Sequence, residues 1–277
     1  MFEEPHSKPL CLALLFACHV IQTCNSAHVL TSGRLSVSID DHTRAYTVLV
    51  DGKSWFNSAG DDLGYSYSAD GETFSVSDGT LNPISSATQG KGTDPAGDYE
   101  SMTLAWGQKG SSIVEFETTF KAYPGRNAIV FQQRWPNALS GLRGSVFPSL
   151  KQTYPGKLGT LEYCGSSCGF MVSGKPSFLG ISGGASKGYI AIAPSDESGA
   201  GTPVSLAIGP LTEHFSNQAR PGNTALLYGL ASTFDFVPSN YTIETVMVSS
   251  ADSSKPERAS VPSNGETHPD HDPTPKP

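Results

Sequence analysis

A stretch of alternating apolar and polar residues near the N-terminus, residues 33–59 (GRLSVSIDDHTRAYTVLVDGKSWFNSA), constrains the fold most strongly. Leu35, Val37 and Ile39 are separated by polar residues, and this period of two is typical of a strand with one buried face. A register slip of one residue would turn these three side chains toward solvent, so we expect the strand pairing to be well specified. The stretch therefore predicts paired β-strands.

A second strand and a tight turn follow within the same stretch. Tyr46, Val48 and Val50 fall on one face of this strand by the same alternation. The dipeptide Asp51-Gly52 is a strong hairpin signal, because glycine accepts the positive φ that a primed two-residue turn needs. A third short strand, ending at Trp55-Phe56, is predicted after this turn.

The chain repeats this pattern of strand and turn as far as residue 250. Residues 113–123 alternate, the turn formers PGRN occupy residues 124–127, and residues 128–135 follow as the partner strand, so a long central hairpin is predicted. Residues 211–219 are the one modest helix candidate. About fourteen strand candidates with almost no helix predict an all-β fold, a large antiparallel β-sandwich of two packed sheets over residues 28–250.

Both ends of the chain differ in composition from the β region. Residues 10–21 are a short apolar run, and small residues follow near position 27, so residues 1–27 are predicted to be a secretory signal peptide, with a buried helix as the alternative. This run is too short to span a bilayer, and no later stretch approaches about 18 apolar residues, so no membrane span is predicted. Residues 251–277 lack aromatic residues and are rich in proline and serine, and we expect a disordered acidic tail.

Cysteine spacing and a glycosylation sequon agree with a secreted, extracellular protein. Cys164 and Cys168 remain after the signal segment, and in an oxidising compartment we expect them to form a structural disulfide. A redox dithiol and half of a metal site are the alternatives, but three residues separate the two cysteines and no second pair exists. Asn240, in the sequence Asn-Tyr-Thr before the last predicted strand, is a candidate N-glycosylation site.

The charge distribution excludes some partners. The net charge is −8, only 16% of the residues are charged, and no basic patch is present, so nucleic acid is not an expected partner. The tail sequence HPDHD at residues 268–272 combines imidazoles and carboxylates, but a disordered tail does not preform a metal site. The sequence therefore predicts no cofactor and no metal centre.

The carboxylates give no clear catalytic pair. Glycosidic bond hydrolysis requires two carboxyl groups about 5–10 Å apart. Glu115 and Glu117 are two residues apart on one predicted strand and should share a face, where a solvated strand surface is the simpler interpretation. Glu213-His214 is an adjacent carboxylate–imidazole pair that could serve mutarotase-type proton transfer, but adjacent side chains do not converge. No catalytic residue is assigned.

Aromatic residues are the candidates for carbohydrate binding, because rings offer flat apolar platforms beside polar groups. Trp55, Tyr65 and Tyr67 lie near predicted loops, where exposure is more readily achieved. Trp135 ends a predicted strand and is the fourth candidate. Burial in the core is the alternative for all four.

Three segments together resemble a known family. The opening stretch, with FQQRWP at residues 131–136 and VFPSL at residues 146–150, resembles the N-terminal galactose-mutarotase-like β-sandwich domain of family 31-type glycoside hydrolases over residues 30–250. In that family the sandwich precedes a (β/α)8 barrel that carries the catalytic aspartates, whereas this chain enters its tail. The resemblance therefore implies a carbohydrate-related module without the catalytic barrel, or a fragment of a longer ancestral gene.

These observations predict a secreted, non-catalytic, carbohydrate-associated β-sandwich module. A structural or interaction protein of an extracellular matrix, including a mineralised one, is the alternative, with the serine-rich surface and acidic tail contacting polymer or Ca²⁺. A small mutarotase or glycoside hydrolase is the third interpretation.

Overall fold

The computed structural model describes residues 27–58, 65–163, 171–173, 188–194, 204–213, 216–221, 225–231 and 233–250, with the backbone alone at 161–163, 171–173 and 220–221. None of these residues forms a helix, so the described part contains none long and apolar enough to cross a membrane. Residues 1–26 and 251–277, with Cys164 and Cys168, lie outside the described residues. The signal peptide, the tail and the disulfide therefore stay predictions.

All regular structure in the described residues is β. The strands in chain order are β1 (Ala27–Ser32), β2 (Leu35–Asp40), β3 (Tyr46–Val50), β4 (Lys53–Asn57), β5 (Ser66–Ala69), β6 (Glu72–Ser75), β7 (Leu81–Pro83), β8 (Thr88–Asp94), β9 (Gly97–Gln108), β10 (Phe116–Tyr123), β11 (Ala128–Trp135), β12 (Leu139–Val146), β13 (Ser149–Gln152), β14 (Leu158–Tyr163), β15 (Met171–Ser173), β16 (Ile190–Pro194), β17 (Leu206–Pro210), β18 (Asn217–Pro221), β19 (Leu226–Leu230), β20 (Phe234–Val237) and β21 (Tyr241–Ser249).

The first sheet has seven antiparallel strands in the order β1-β2-β3-β4-β13-β19-β18. The predicted alternation is confirmed here, since Leu35, Val37 and Ile39 are fully buried. The turn between β3 and β4 is also confirmed, because Asp51 and Gly52 have φ values of 50° and 74°. Both residues take the positive φ of a primed turn, which matches the twist of the two strands.

The second sheet has ten strands in the order β15-β14-β16-β17-β21-β11-β10-β9-β7, and β8 also pairs with β9. The predicted central hairpin is confirmed, because β10 pairs with β11 from Glu117 opposite Arg134 to Tyr123 opposite Ala128. However, β10 begins at Phe116 and not at residue 113. Glu115 therefore lies before β10 and not within it.

A third sheet of four strands, in the order β20-β12-β5-β6, was not predicted. It packs against the core, since Leu142 of β12 is fully buried and the Tyr67 ring of β5 lies 5.7 Å from the Phe116 ring of β10. The fold is therefore an antiparallel β-sandwich with an additional sheet, rather than two sheets alone.

The two large sheets meet through a cluster of aromatic rings. Tyr46 of the first sheet is 1% exposed, and its ring lies 5.1 Å from Phe120 and 6.3 Å from Phe131 of the second sheet. The Tyr46 hydroxyl donates to the Ser149 carbonyl and accepts from the Ser149 N–H, both at 2.7 Å. This hydroxyl therefore satisfies two buried backbone groups while its ring fills the core.

The prediction of a helix over residues 211–219 is wrong, because the described residues of this segment, 211–213 and 216–219, are not helical. The backbone N–H groups of Ser216 and Asn217 both donate to the Glu213 carbonyl at 2.8 Å, and Glu213 has a φ of 54°. The chain turns at this point, and β18 then pairs with β19. Pairing with a neighbouring strand overrides the weak local preference for helix.

Candidate functional site

The aromatic residues predicted to bind carbohydrate, Trp55, Tyr65, Tyr67 and Trp135, are 4%, 2%, 3% and 1% exposed. Other rings cover three of them. Trp55 lies 5.1 Å from Tyr154, Tyr65 lies 4.4 Å from Trp106, and Trp135 packs between neighbouring rings. The greater exposure expected near loops is wrong, because these side chains are buried and pack against other rings. These three rings offer no flat platform at the surface.

Tyr67 differs from the other three because it lines a surface cavity of about 380 Å³, here called the Tyr67 cavity. The lining combines two aromatic rings, three carboxylates, two amides and four apolar residues, namely Tyr67, Phe74, Asp70, Glu72, Glu115, Gln108, Asn137, Ala69, Ile113, Ala138 and Leu139. Ile113 is 61% exposed. No lysine or arginine lines this cavity, so it offers hydrogen-bond acceptors beside apolar surface.

The Tyr67 hydroxyl is the fixed polar group of this cavity. It donates to Oε2 of Glu115 at 2.7 Å, and the Phe74 ring lies 5.1 Å from the Tyr67 ring. Burial, with the hydrogen bond to the Glu115 carboxylate, raises the pKa of Tyr67 well above its usual value. The hydroxyl therefore stays protonated and holds the carboxylate in one orientation.

Glu115 and Glu117 do not share a face, so this prediction is wrong. Glu115 precedes β10 and lines the Tyr67 cavity, whereas Glu117 lies within β10 and lines a different groove, where it pairs with Arg134 at 3.1 Å. The reason is that alternation applies only inside a strand. Glu115 lies one residue before β10, where its backbone N–H donates to the Trp106 carbonyl at 2.9 Å and its carboxylate reaches Tyr67 of the third sheet.

The second groove, here called the Lys121 groove, lies on the outer face of the ten-stranded sheet and has a volume of about 440 Å³. Hydroxyl and charged side chains dominate its lining, which consists of Ser85, Thr88, Tyr99, Ser101, Thr103, Ala105, Glu117, Thr119, Lys121, Gln132 and Arg134. This groove could not be predicted from the sequence, because its side chains come from several strands and resemble an ordinary solvated sheet face.

Lys121 organises the polar network of this groove. Its ammonium lies 2.7 Å from Oε1 of Glu244 and 5.1 Å from the centre of the Tyr99 ring, although only 9% of the residue is exposed. Nε2 of Gln132 donates to the same Glu244 oxygen at 2.7 Å. The groove therefore presents an ordered set of donors and acceptors, in which the buried charge is neutralised by its neighbour.

Two sequence candidates, the Glu213-His214 pair and Asn240, remain to be placed. Glu213 occupies a turn, and His214 lies outside the described residues, so the arrangement of this pair stays a prediction. Asn240 is exposed, and its Oδ1 accepts from Nη2 of Arg134 at 2.8 Å. Its glycosylation stays a prediction. Among the described residues, no group of three or more His, Cys, Asp and Glu side chains is arranged to hold a metal ion.

Comparison with solved structures shows a likeness to glycoside hydrolases. The ligand-free α-N-acetylgalactosaminidase NagBb from Bifidobacterium bifidum is 14% identical with a TM-score of 0.52, and the match covers 81% of this chain and 36% of that chain. A glycoside hydrolase family 97 enzyme from Pseudoalteromonas sp. strain K8, in complex with acarbose, is 10% identical with a TM-score of 0.52, covering 80% of this chain and 35% of that chain. No protein-family model and no curated protein matches the sequence.

These likenesses concern the fold, because the identities are low and this chain spans about a third of the solved chains' length. They confirm the predicted all-β sandwich and place it among folds found in glycoside hydrolases. They do not single out family 31, so that finer resemblance stays a prediction.

Proposed function

We propose that this protein is a secreted, non-catalytic carbohydrate-binding module and that the Tyr67 cavity holds the sugar. The observation that carries the proposal is the convergence of two aromatic rings, three carboxylates and two amides in one cavity. A sugar ring has apolar C–H faces that pack on aromatic rings, and hydroxyl groups that donate to carboxylate and amide oxygens. The occurrence of this fold in glycoside hydrolases supports the choice of ligand class.

The size and chemistry of the cavity agree with this function. A volume of about 380 Å³ lies within the range of roughly 300–1,000 Å³ that is common for small-molecule sites. The Tyr67 hydroxyl and Glu115 are held together before any ligand arrives, so less ordering is needed on binding. Binding requires these contacts alone and no proton transfer, so non-catalytic binding is the simplest function that this geometry supports.

Titration calorimetry tests the proposal directly. The probes are N-acetylgalactosamine, gluco-oligosaccharides and galactosides, and we expect at least one to bind at millimolar or lower concentration and to be recovered intact by chromatography. The double variant Asp70→Asn/Glu72→Gln removes two carboxylates that line the cavity and should weaken binding by at least about tenfold, since hydrogen bonds to charged groups contribute about 1.5–3 kcal/mol each. Asparagine tolerates the positive φ of 50° at position 70.

The matched control is Asp235→Asn, which neutralises an exposed carboxylate that does not line the Tyr67 cavity. It should bind the same sugar as the unmodified protein does. No binding of any probe at millimolar concentration, or equal binding by the double variant, would contradict the proposal. The matrix alternative depends on residues 251–277, which lie outside the described residues, and it stays a prediction.

A further inference from the structure

At one end of three neighbouring strands, a residue that lines the Tyr67 cavity lies two or three positions along the chain from a residue that lines the Lys121 groove. The pairs, cavity residue first, are Gln108 and Ala105 of β9, Glu115 just before β10 and Glu117 within it, and Asn137 just after β11 and Arg134 within it. Members of a pair are two or three residues apart, and an extended chain rises about 3.3 Å per residue, so their backbones lie within about 10 Å. The two sites therefore meet along one line of strand ends.

The surface between the two sites is apolar and tightly packed. A Cβ atom on Gly107, which lies between Ala105 and Gln108 on β9, would collide with the Ile113 carbonyl oxygen and would lie 2.6 Å from Cδ1 of Ile84. Ile84 and the Ile113 backbone therefore cross directly over Gly107, and glycine is required there. The Ile113 side chain is 61% exposed and lines the cavity, so an apolar surface lies between two polar ones.

The charges of the Lys121 groove favour a neutral ligand. The Lys121 ammonium is paired with Glu244 at 2.7 Å, and the Arg134 guanidinium is paired with Glu117 at 3.1 Å. An anion would have to compete with these carboxylates, whereas a hydroxyl group can donate to a carboxylate and accept from a cation at once. Five serine and threonine hydroxyls in the lining extend the same donor and acceptor pattern.

We infer that the Tyr67 cavity and the Lys121 groove are two parts of one extended site that binds a neutral saccharide chain. One sugar unit occupies the Tyr67 cavity, the chain crosses the apolar surface at Ile113, and further units hydrogen-bond along the groove. This inference rests on the proposed function and adds the length and charge class of the ligand.

Affinity measured as a function of chain length tests the inference. The probes are the gluco-oligosaccharides from glucose to maltohexaose and the matching galacto-oligosaccharides, titrated calorimetrically against the full chain. One of the two series should bind. Within that series, we expect the longest oligosaccharides to bind at least about tenfold more tightly than the monosaccharide, because added sugar units gain contacts without a second loss of translational freedom.

The double variant Glu117→Gln/Arg134→Gln should abolish this gain and leave the affinity for the monosaccharide within about twofold. It changes two charges of opposite sign, so the net charge and long-range field stay the same. The matched control is Glu100→Gln/Arg143→Gln, which also removes one charge of each sign at residues that line neither site. It should keep the full dependence on chain length.

The outcomes separate this inference from the proposed function. Monosaccharide binding without any gain for longer chains, or a variant that weakens short and long chains equally, would overturn the extended site alone. Tighter binding of oligogalacturonates than of neutral galacto-oligosaccharides would overturn the neutral ligand class. If no sugar of any length binds, the proposed function fails, and the extended site fails with it.

Discussion

Replacing Tyr46 by phenylalanine removes a single oxygen from the centre of the sandwich. The Tyr46 hydroxyl makes two hydrogen bonds of 2.7 Å to the backbone of Ser149. Leaving a buried donor or acceptor without a partner costs about 1–3 kcal/mol, and the ring itself is retained. Tyr46→Phe should therefore lower the free energy of unfolding by about 2 kcal/mol near neutral pH.

The same substitution should matter less in alkaline solution. Burial raises the pKa of Tyr46 far above its ordinary value of 10.0, so the folded protein keeps the phenolic proton while the unfolded chain loses it. The unmodified protein therefore loses stability above about pH 10, by up to about 1.4 kcal/mol per pH unit from this group. The variant lacks this loss, so the difference in unfolding free energy between the unmodified protein and the variant should shrink to about 0.6 kcal/mol near pH 11.

Urea unfolding followed by tryptophan fluorescence at about pH 8 and pH 11 measures both differences. The control Tyr189→Phe removes the hydroxyl of a residue that is 42% exposed, and it should change the free energy by less than about 0.5 kcal/mol at the lower pH. A difference for Tyr46→Phe that is near zero at the lower pH, or that stays constant between the two, would refute the buried and hydrogen-bonded placement of this hydroxyl.

Two further substitutions test packing and buried charge. Gly229→Ala should destabilise the fold by about 3 kcal/mol, because φ is 145° and the new Cβ would collide with a backbone carbonyl oxygen. In the control Gly110→Ala the new Cβ meets no neighbouring atom, so the cost should be about 1 kcal/mol. Urea unfolding measures both. Lys121→Met should cost about 3 kcal/mol because it leaves the partly buried Glu244 carboxylate without its opposite charge. Lys91→Met breaks an ion pair of the same 2.7 Å length on a side chain that is 81% exposed, and it should leave the unfolding midpoint unchanged.

Local patterns predicted the parts of the fold that depend on neighbouring residues. The alternation at Leu35, Val37 and Ile39 needs one buried face, and the turn at residues 51–52 needs glycine, so both can be recognised without tertiary information. The hairpin of β10 and β11 was predictable for the same reason, because a turn sequence separates two alternating segments.

The candidate site was less predictable because it depends on contacts between distant segments. Tyr67 was identified as an aromatic candidate, but its partner Glu115 lies 48 residues later and was assigned to the wrong face. The start of β10 decides that face, and nothing in the local alternation marks it. The burial of Trp55 and Tyr65 likewise depends on rings from distant parts of the chain, Tyr154 and Trp106.

A residue-resolved NMR titration with the tightest-binding oligosaccharide tests the central claim, that a sugar binds in the Tyr67 cavity. We expect the largest changes in chemical shift at Tyr67, Phe74, Gln108 and Asn137, and we expect them to saturate with the affinity measured by calorimetry. Saturable changes confined to residues away from this cavity, such as the separate pocket that Val29 lines, would contradict it.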